Sequence, residues 1–132
     1  MANASDQLTK EIIMATILIV DDAEFLRMRI SKMLTNNGYT VLQADNGISA
    51  VSTYKAARPD IVLMDITMPE MDGLTALKEI KAADPLARVV MLTALGQESV
   101  MVEAVKSGAQ DFVVKPFEPE RVLDTINRVL IA

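Results

Sequence analysis

Five short apolar runs, spaced along 132 residues, limit what this chain can fold into more than any other feature. They read TILIV (16–20), YTVLQA (39–44), DIVLM (60–64), RVVML (88–92) and DFVV (111–114). Four are nearly continuous in apolar character, as expected of parallel strands buried on both faces. The second alternates more and is expected at a sheet edge. Helical period fills the segments between them. In the first such segment Phe25, Leu26, Ile30, Met33 and Leu34 make an apolar stripe, with Arg27, Arg29 and Lys32 facing outward. Gly38 and Gly108 stand where a left-handed residue closes a helix, and Pro119 stands in a first turn, where its missing N–H costs nothing. A βα unit repeated five times implies an α/β fold, doubly wound, with a five-stranded parallel sheet and helices on both faces.

One domain is expected over residues 15–132, with residues 1–14 as a flexible N-terminal extension. Leu8 and Ile12, four apart, would alternatively form one amphipathic turn docked on the domain. Met14 would alternatively be the natural start. The hydrophobic fraction of 51% is too high for a disordered chain. A net charge of −5 with scattered Lys and Arg argues against nucleic-acid binding. There is no cysteine and no histidine, which excludes disulfides, thiolate or imidazole metal sites and a histidine-based triad. The longest uncharged apolar stretch, Ile12 to Val20, falls short of the ~20 residues of a membrane span, so no membrane role and a cytoplasmic location are expected.

In a doubly wound sheet, sites form beyond the carboxyl ends of the strands, where strand order reverses. Asp21 and Asp22 follow the first strand, Asp65 the third, Thr93 and Ala94 the fourth, and Lys115 and Pro116 the fifth. In the order 2-1-3-4-5 the first and third strands are neighbours, so three carboxylates, a hydroxyl and an ammonium crowd one mouth of the sheet. Singly, each has an ordinary explanation: Asp22 as a helix N-cap, Thr93 as a strand end, Lys115 as a solvated charge. Asp72 before Gly73 reads as a turn and N-cap. Taken together, the three acids would repel at close range and need a cation. All-oxygen ligation by few carboxylates suits Mg²⁺. A metal, a lysine and a hydroxyl around a further carboxylate form a phosphoryl-transfer constellation, with Asp65 as the nucleophile.

The segments ILIVDD, DIVLMDITMPEMDG, VVMLTA and DFVVKPF resemble, in order and over residues 15–131, the receiver domain of two-component response regulators. That family has the 2-1-3-4-5 order known from CheY and flavodoxin. The resemblance implies that Asp65 accepts a phosphoryl group from a histidine kinase. Asp22, Asp65 and the backbone carbonyl of Thr67 would bind Mg²⁺, with Asp21 holding a metal-bound water. Lys115, Thr93 and the Ala94 backbone N–H would contact the phosphoryl group, and the Lys115–Pro116 peptide would be cis. Phe112 matches an aromatic that changes rotamer with Thr93, although a static core ring is an alternative. Such a protein is a signalling switch that catalyses its own phosphotransfer and autodephosphorylation at Asp65.

DITMPEMDG, TALGQES and DFVVKPFEPERV look most like single-domain chemotaxis receivers of the CheY kind. With no output domain after Ala132, output is expected through protein–protein contact by the fourth helix, fifth strand and fifth helix. A flagellar motor switch protein is the partner this resemblance suggests, and a monomer is expected. Leu26, Arg29, Ile30 and Met33 mark a candidate kinase-docking face, and Thr67 and Leu95 are expected to flank the pocket and tune phosphoryl lifetime. Within the family the alternatives are a phosphorelay intermediate or a receiver excised from a longer regulator. A haloacid-dehalogenase-like phosphatase would want Asp-x-Asp after the first strand, where this chain has Asp21-Asp22-Ala23. A flavodoxin-like carrier would suffer repulsion between these acids and the flavin phosphate.

Overall fold

The computed structural model describes residues 15–131 apart from residue 69. The readings made for residues 1–14 lie outside the described residues. The elements alternate: β1 Thr16–Val20, α1 Glu24–Asn36, β2 Thr40–Ala44, α2 Gly47–Ala57, β3 Ile61–Asp65, α3 Gly73–Ala83, β4 Val89–Ala94, α4 Glu98–Lys106, β5 Asp111–Lys115 and α5 Pro119–Ile131. All strand pairs are parallel, in the order β2-β1-β3-β4-β5. The doubly wound sheet is thus the one the βα repeat implied.

The continuous apolar strands follow from the need to fill two layers. Successive strand residues point to opposite faces. Ile17, Ile19, Ile61, Leu63, Val90 and Leu92 pack with Ile30 and Leu34 of α1 and Val122, Ile126 and Val129 of α5. Their alternates Leu18, Val20, Val62, Met64, Val89 and Met91 pack with residues of α2, α3 and α4, among them Val51, Tyr54, Leu77, Ile80 and Met101. Each such aliphatic side chain, taken fully out of water, contributes about 1.5–3 kcal/mol. Two tyrosines tie the periphery to this core: the Tyr54 hydroxyl donates to Asp84 Oδ2 at 2.7 Å, and the Tyr39 hydroxyl donates to Asn127.

Helix ends behave as their residues dictate. Gly38 and Gly108 take φ of 92° and 105°, a left-handed geometry that closes α1 and α4. Asp72 caps α3, its carboxylate accepting the Thr75 N–H at 2.8 Å. The N-cap of α1 is Ala23, so the capping role considered for Asp22 is not taken up.

Three expectations need correction. β5 is not buried on both faces: of its five residues only Val113 is buried. As the strand beyond β4 it has one sheet neighbour, and α5 covers one of its faces. Phe25 is 75% exposed. It sits about 100° round the helix from Leu26 and so falls off the stripe that Leu26, Ile30, Met33 and Leu34 present to the core. Its ring lies instead 6.0 Å from the Arg29 guanidinium carbon. Arg27 does not face outward. It folds back over the end of β1, donating to the Asp21 carbonyl at 2.6 Å and to Gln43 Oε1 at 2.9 Å. Among the described residues, no helix is long and apolar enough to cross a membrane.

Candidate functional site

Sheet register brings the charged residues together. Val20 pairs with Met64, which sets Asp21 beside Asp65 one position further on. Residues 17, 19 and 21 share a face with 61, 63 and 65, and with 113 and 115 on β5. Lys115 pairs with Ala94, and Asp65 pairs with Leu92, so the lysine stands two residues beyond the level of Asp65. Its four-carbon chain reaches back across β4. Lys115 Nζ donates to Asp21 Oδ2 at 2.9 Å and to Asp65 Oδ1 at 3.2 Å.

Asp21 is wholly buried, Asp65 is 8% exposed and Asp22 is exposed. Each of the three offers a carboxylate oxygen, and these lie within 4.8 Å of one another. The other oxygen of Asp21 accepts the Ala23 N–H at 2.8 Å. Burial, with the neighbouring charge of Asp21, pushes the Asp65 carboxyl above the ordinary carboxylate range, although Lys115 pulls the other way. For Lys115, burial favours the neutral amine. Its hydrogen bonds and charge attraction to Asp21 and Asp65 outweigh that, and the ammonium titrates above the usual lysine range. One ammonium against three carboxylates leaves two negative charges uncompensated in a half-closed pocket. That deficit, with a donor set made only of oxygens, fits a hard divalent cation.

The surrounding loops are tightly set. A Cβ on Gly73 would lie 1.9 Å from the Asp65 carbonyl oxygen, and the Gly73 N–H donates to the Ile66 carbonyl at 2.7 Å. The start of α3 therefore rests directly on the backbone that carries Asp65. On the other side, a Cβ on Gly47 would lie 2.3 Å from the Met71 carbonyl oxygen. These are close-approach glycines, fixed by what lies against them. The Lys115–Pro116 peptide is cis.

Asp21, Asp22, Asp65 and Lys115 are brought into one cluster. Thr93 and Ala94 end β4 beside it: Ala94 shares the face of Leu92 and Lys115, whereas Thr93 lies on the opposite face of the strand and is buried. Thr67 is exposed on the loop after β3, and Leu95 is 81% exposed. Thr93, Ala94, Leu95, Met101, Phe112 and Val114 surround a cavity of about 150 Å³ between β4, β5 and α4. Phe112 is 41% exposed, so the static core ring is set aside. On α1, Ile30 is core at 1% exposure and is not available for docking, whereas Arg29 is exposed. Sequence reasoning missed Gln97. Its side chain bonds Thr93, Ala94 and Thr67 together. A polar residue in the loop just before a helix was the available signal, but its partner Thr67 lies 30 residues away.

A doubly wound domain with an acidic, lysine-bridged pocket at the carboxyl edge of its central strands defines the class. The model of the response regulator receiver domain matches residues 17–127. Over 115 residues the chain is 56% identical to the chemotaxis protein CheY of Bacillus subtilis, covering 86% of this chain and 96% of the relative. It is 52% identical to CheY of Thermotoga maritima over 114 residues, covering 86% and 95%. Among solved structures, CheY in the CheX–CheY–BeF3–Mg²⁺ complex of Borrelia burgdorferi superposes with a TM-score of 0.84 at 38% identity, over 89% of this chain and 90% of that one. The chain belongs to the response regulator receiver family, and its likeness is to CheY-type signalling proteins.

Proposed function

We propose that Asp65 accepts a phosphoryl group from the phosphohistidine of a kinase, and that the resulting change in surface carries a chemotaxis signal in the cytoplasm. What carries the reading is the placement of Asp65: a nearly buried carboxylate bridged by Lys115 to Asp21, with Asp22 at the open side of the cluster. Asp21, Asp22, Asp65 and the Thr67 carbonyl would hold Mg²⁺, which when bound offsets the negative charge of the carboxylates and the incoming phosphoryl oxygens. A Borrelia relative with this fold is known in complex with Mg²⁺ and BeF3, which supports that choice of ion.

The chain's own residues do the rest. A carboxylate oxygen of Asp65 attacks phosphorus as the donor's N–P bond breaks, and the electron pair returns to the imidazole nitrogen, which takes up a proton. Lys115 then trades its bond to Asp65 for one to a phosphoryl oxygen while keeping Asp21. The Thr93 hydroxyl and the Ala94 N–H supply further donors, drawing the end of β4 towards Asp65. With Thr93 drawn away, the adjoining cavity opens to Phe112, now partly in solvent, and the α4–β5–α5 surface changes shape. That surface presents Val102, Val105, Phe112 and Val114 to solvent, as a protein-binding face requires. The CheY relatives are chemotaxis proteins, and a flagellar motor switch protein is the target we propose for this face.

The test is incubation with acetyl phosphate and MgCl2, read by intact mass. The parent is expected to gain one phosphoryl group, and Asp65→Asn and a chelator-treated sample none. Full labelling of Asp65→Asn would exclude the assignment.

A further inference from the structure

Gln97 stands at the N-cap position of α4, yet its side chain makes no capping bond to that helix. It turns back to the end of β4. Its Oε1 accepts the Ala94 N–H at 2.7 Å and the Thr93 hydroxyl at 3.1 Å, while Nε2 donates to the Thr67 hydroxyl at 3.0 Å. The amide orientation follows from chemistry: the Ala94 N–H can only donate, so the oxygen must face it. One side-chain oxygen thus collects the two donors that the reading above gives to the phosphoryl oxygens. The amide nitrogen meanwhile anchors the side chain to the loop after β3.

We propose that Gln97 is a positioning residue that holds the phosphoryl-binding donors of the free protein and gives them up when Asp65 is phosphorylated. The inference rests on Asp65 being the phosphoacceptor. An amide oxygen competes with a phosphoryl oxygen for the same N–H and O–H, so the free site exists mainly in a latched form. Apparent affinity for a phosphoryl group is lowered by the fraction of molecules so latched. Gln97 is half-buried and Ala94 is exposed, so water can take over the Ala94 N–H when the amide leaves. Neither donor is stranded by the exchange. Gln97 also couples two loops, since Thr93 cannot move towards Asp65 without breaking a link that ends on Thr67.

The test uses the full chain with beryllofluoride and Mg²⁺, followed by calorimetric titration and by the amide NMR signal of Ala94. Gln97→Ala is expected to bind beryllofluoride roughly three- to tenfold more tightly than the parent, the gain from losing a competitor for two neutral hydrogen bonds. Its Ala94 amide signal should move in the free protein and coincide with the parent's once beryllofluoride is bound. Thr67→Val, which cuts the anchor without touching α4, is expected to shift affinity in the same direction by less, and decides the matter if Gln97→Ala does not fold. A purely structural role for Gln97 gives equal or weaker binding, and either result overturns the proposal. Failure of the parent itself to bind beryllofluoride, or to take up phosphate from acetyl phosphate, removes the phosphoacceptor reading instead.

Discussion

Replacing Lys115 with Met tests the electrostatics of the pocket while keeping most of the side chain's apolar bulk. The ammonium lies 2.9 Å from Asp21 and 3.2 Å from Asp65, with its side chain 25% exposed and theirs 0% and 11%. At an effective dielectric of about 20, each attraction is on the order of 5 kcal/mol before the cost of desolvating the charges. Carboxylate oxygens of the three acids lie within 4.8 Å, a distance at which each pair repels by about 3.5 kcal/mol in the same medium. Removing one member of a buried pair costs roughly 3–5 kcal/mol in general, and a value near the lower end, ~3 kcal/mol, is expected because the pocket is open at Asp22. The assay is urea unfolding at pH 7 with chelator present. Acidification should narrow the gap. The Asp65 carboxyl is raised in the folded state, so its favourable contribution is complete below the unfolded value and is lost as pH rises through the folded one. Without Lys115 holding it down, the folded value rises further, and the loss extends to higher pH. Mg²⁺ should narrow the gap as well, by replacing the missing positive charge. A variant within about 0.5 kcal/mol of the parent at pH 7 without divalent cation would refute this electrostatic account.

Gly73→Ala would set a methyl group 1.9 Å from the Asp65 carbonyl oxygen, where only backbone could give way. Destabilisation above roughly 3 kcal/mol is expected by urea unfolding, together with lost phosphate uptake in whatever fraction folds. Tyr54→Phe should lower the melting midpoint by a few degrees by deleting the bond to Asp84. It should also remove a pH dependence. Burial first, then the Asp84 bond, pushes the Tyr54 hydroxyl up to about 12, so its contribution is complete below the ordinary tyrosine range and fades as pH rises towards that value. Asp84 titrates below its usual range, mainly through the Tyr54 bond, so the parent alone should lose that contribution as pH falls through the lowered value. Parallel stability-against-pH curves for parent and Tyr54→Phe would contradict both statements.

What could be read from the chain was whatever local pattern determines. Ile61 to Met64 is apolar throughout because the strand feeds both core layers, and burial of all five residues of β3, Asp65 included, agrees with a strand covered on both faces. Asp72 next to Gly73 carried a cap that formed as written. The misses lie where neighbours decide. DFVV looks as apolar as the central strands, but its place beyond β4 leaves Phe112 and Val114 to solvent. Phe25 is one step from the stripe of α1, and that step takes it off the core. Arg27 folds inward because the Asp21 carbonyl and Gln43 happen to stand above it. Within the site the acids and the lysine were legible because each ends a strand. Gln97 was not, since its role exists only once the loops carrying Thr67 and Thr93 have met.

The central claim concerns one carboxylate, and its most direct measurement is chemical trapping. The protein is phosphorylated with acetyl phosphate and MgCl2, reduced with borohydride to convert an acyl phosphate to the alcohol, and mapped by peptide mass spectrometry. The expected result is homoserine at position 65 and nowhere else, dependent on Mg²⁺ and absent when Asp22 is replaced by Ala. Reduction product at another acid, or uptake that persists in full without a divalent cation, would contradict the account.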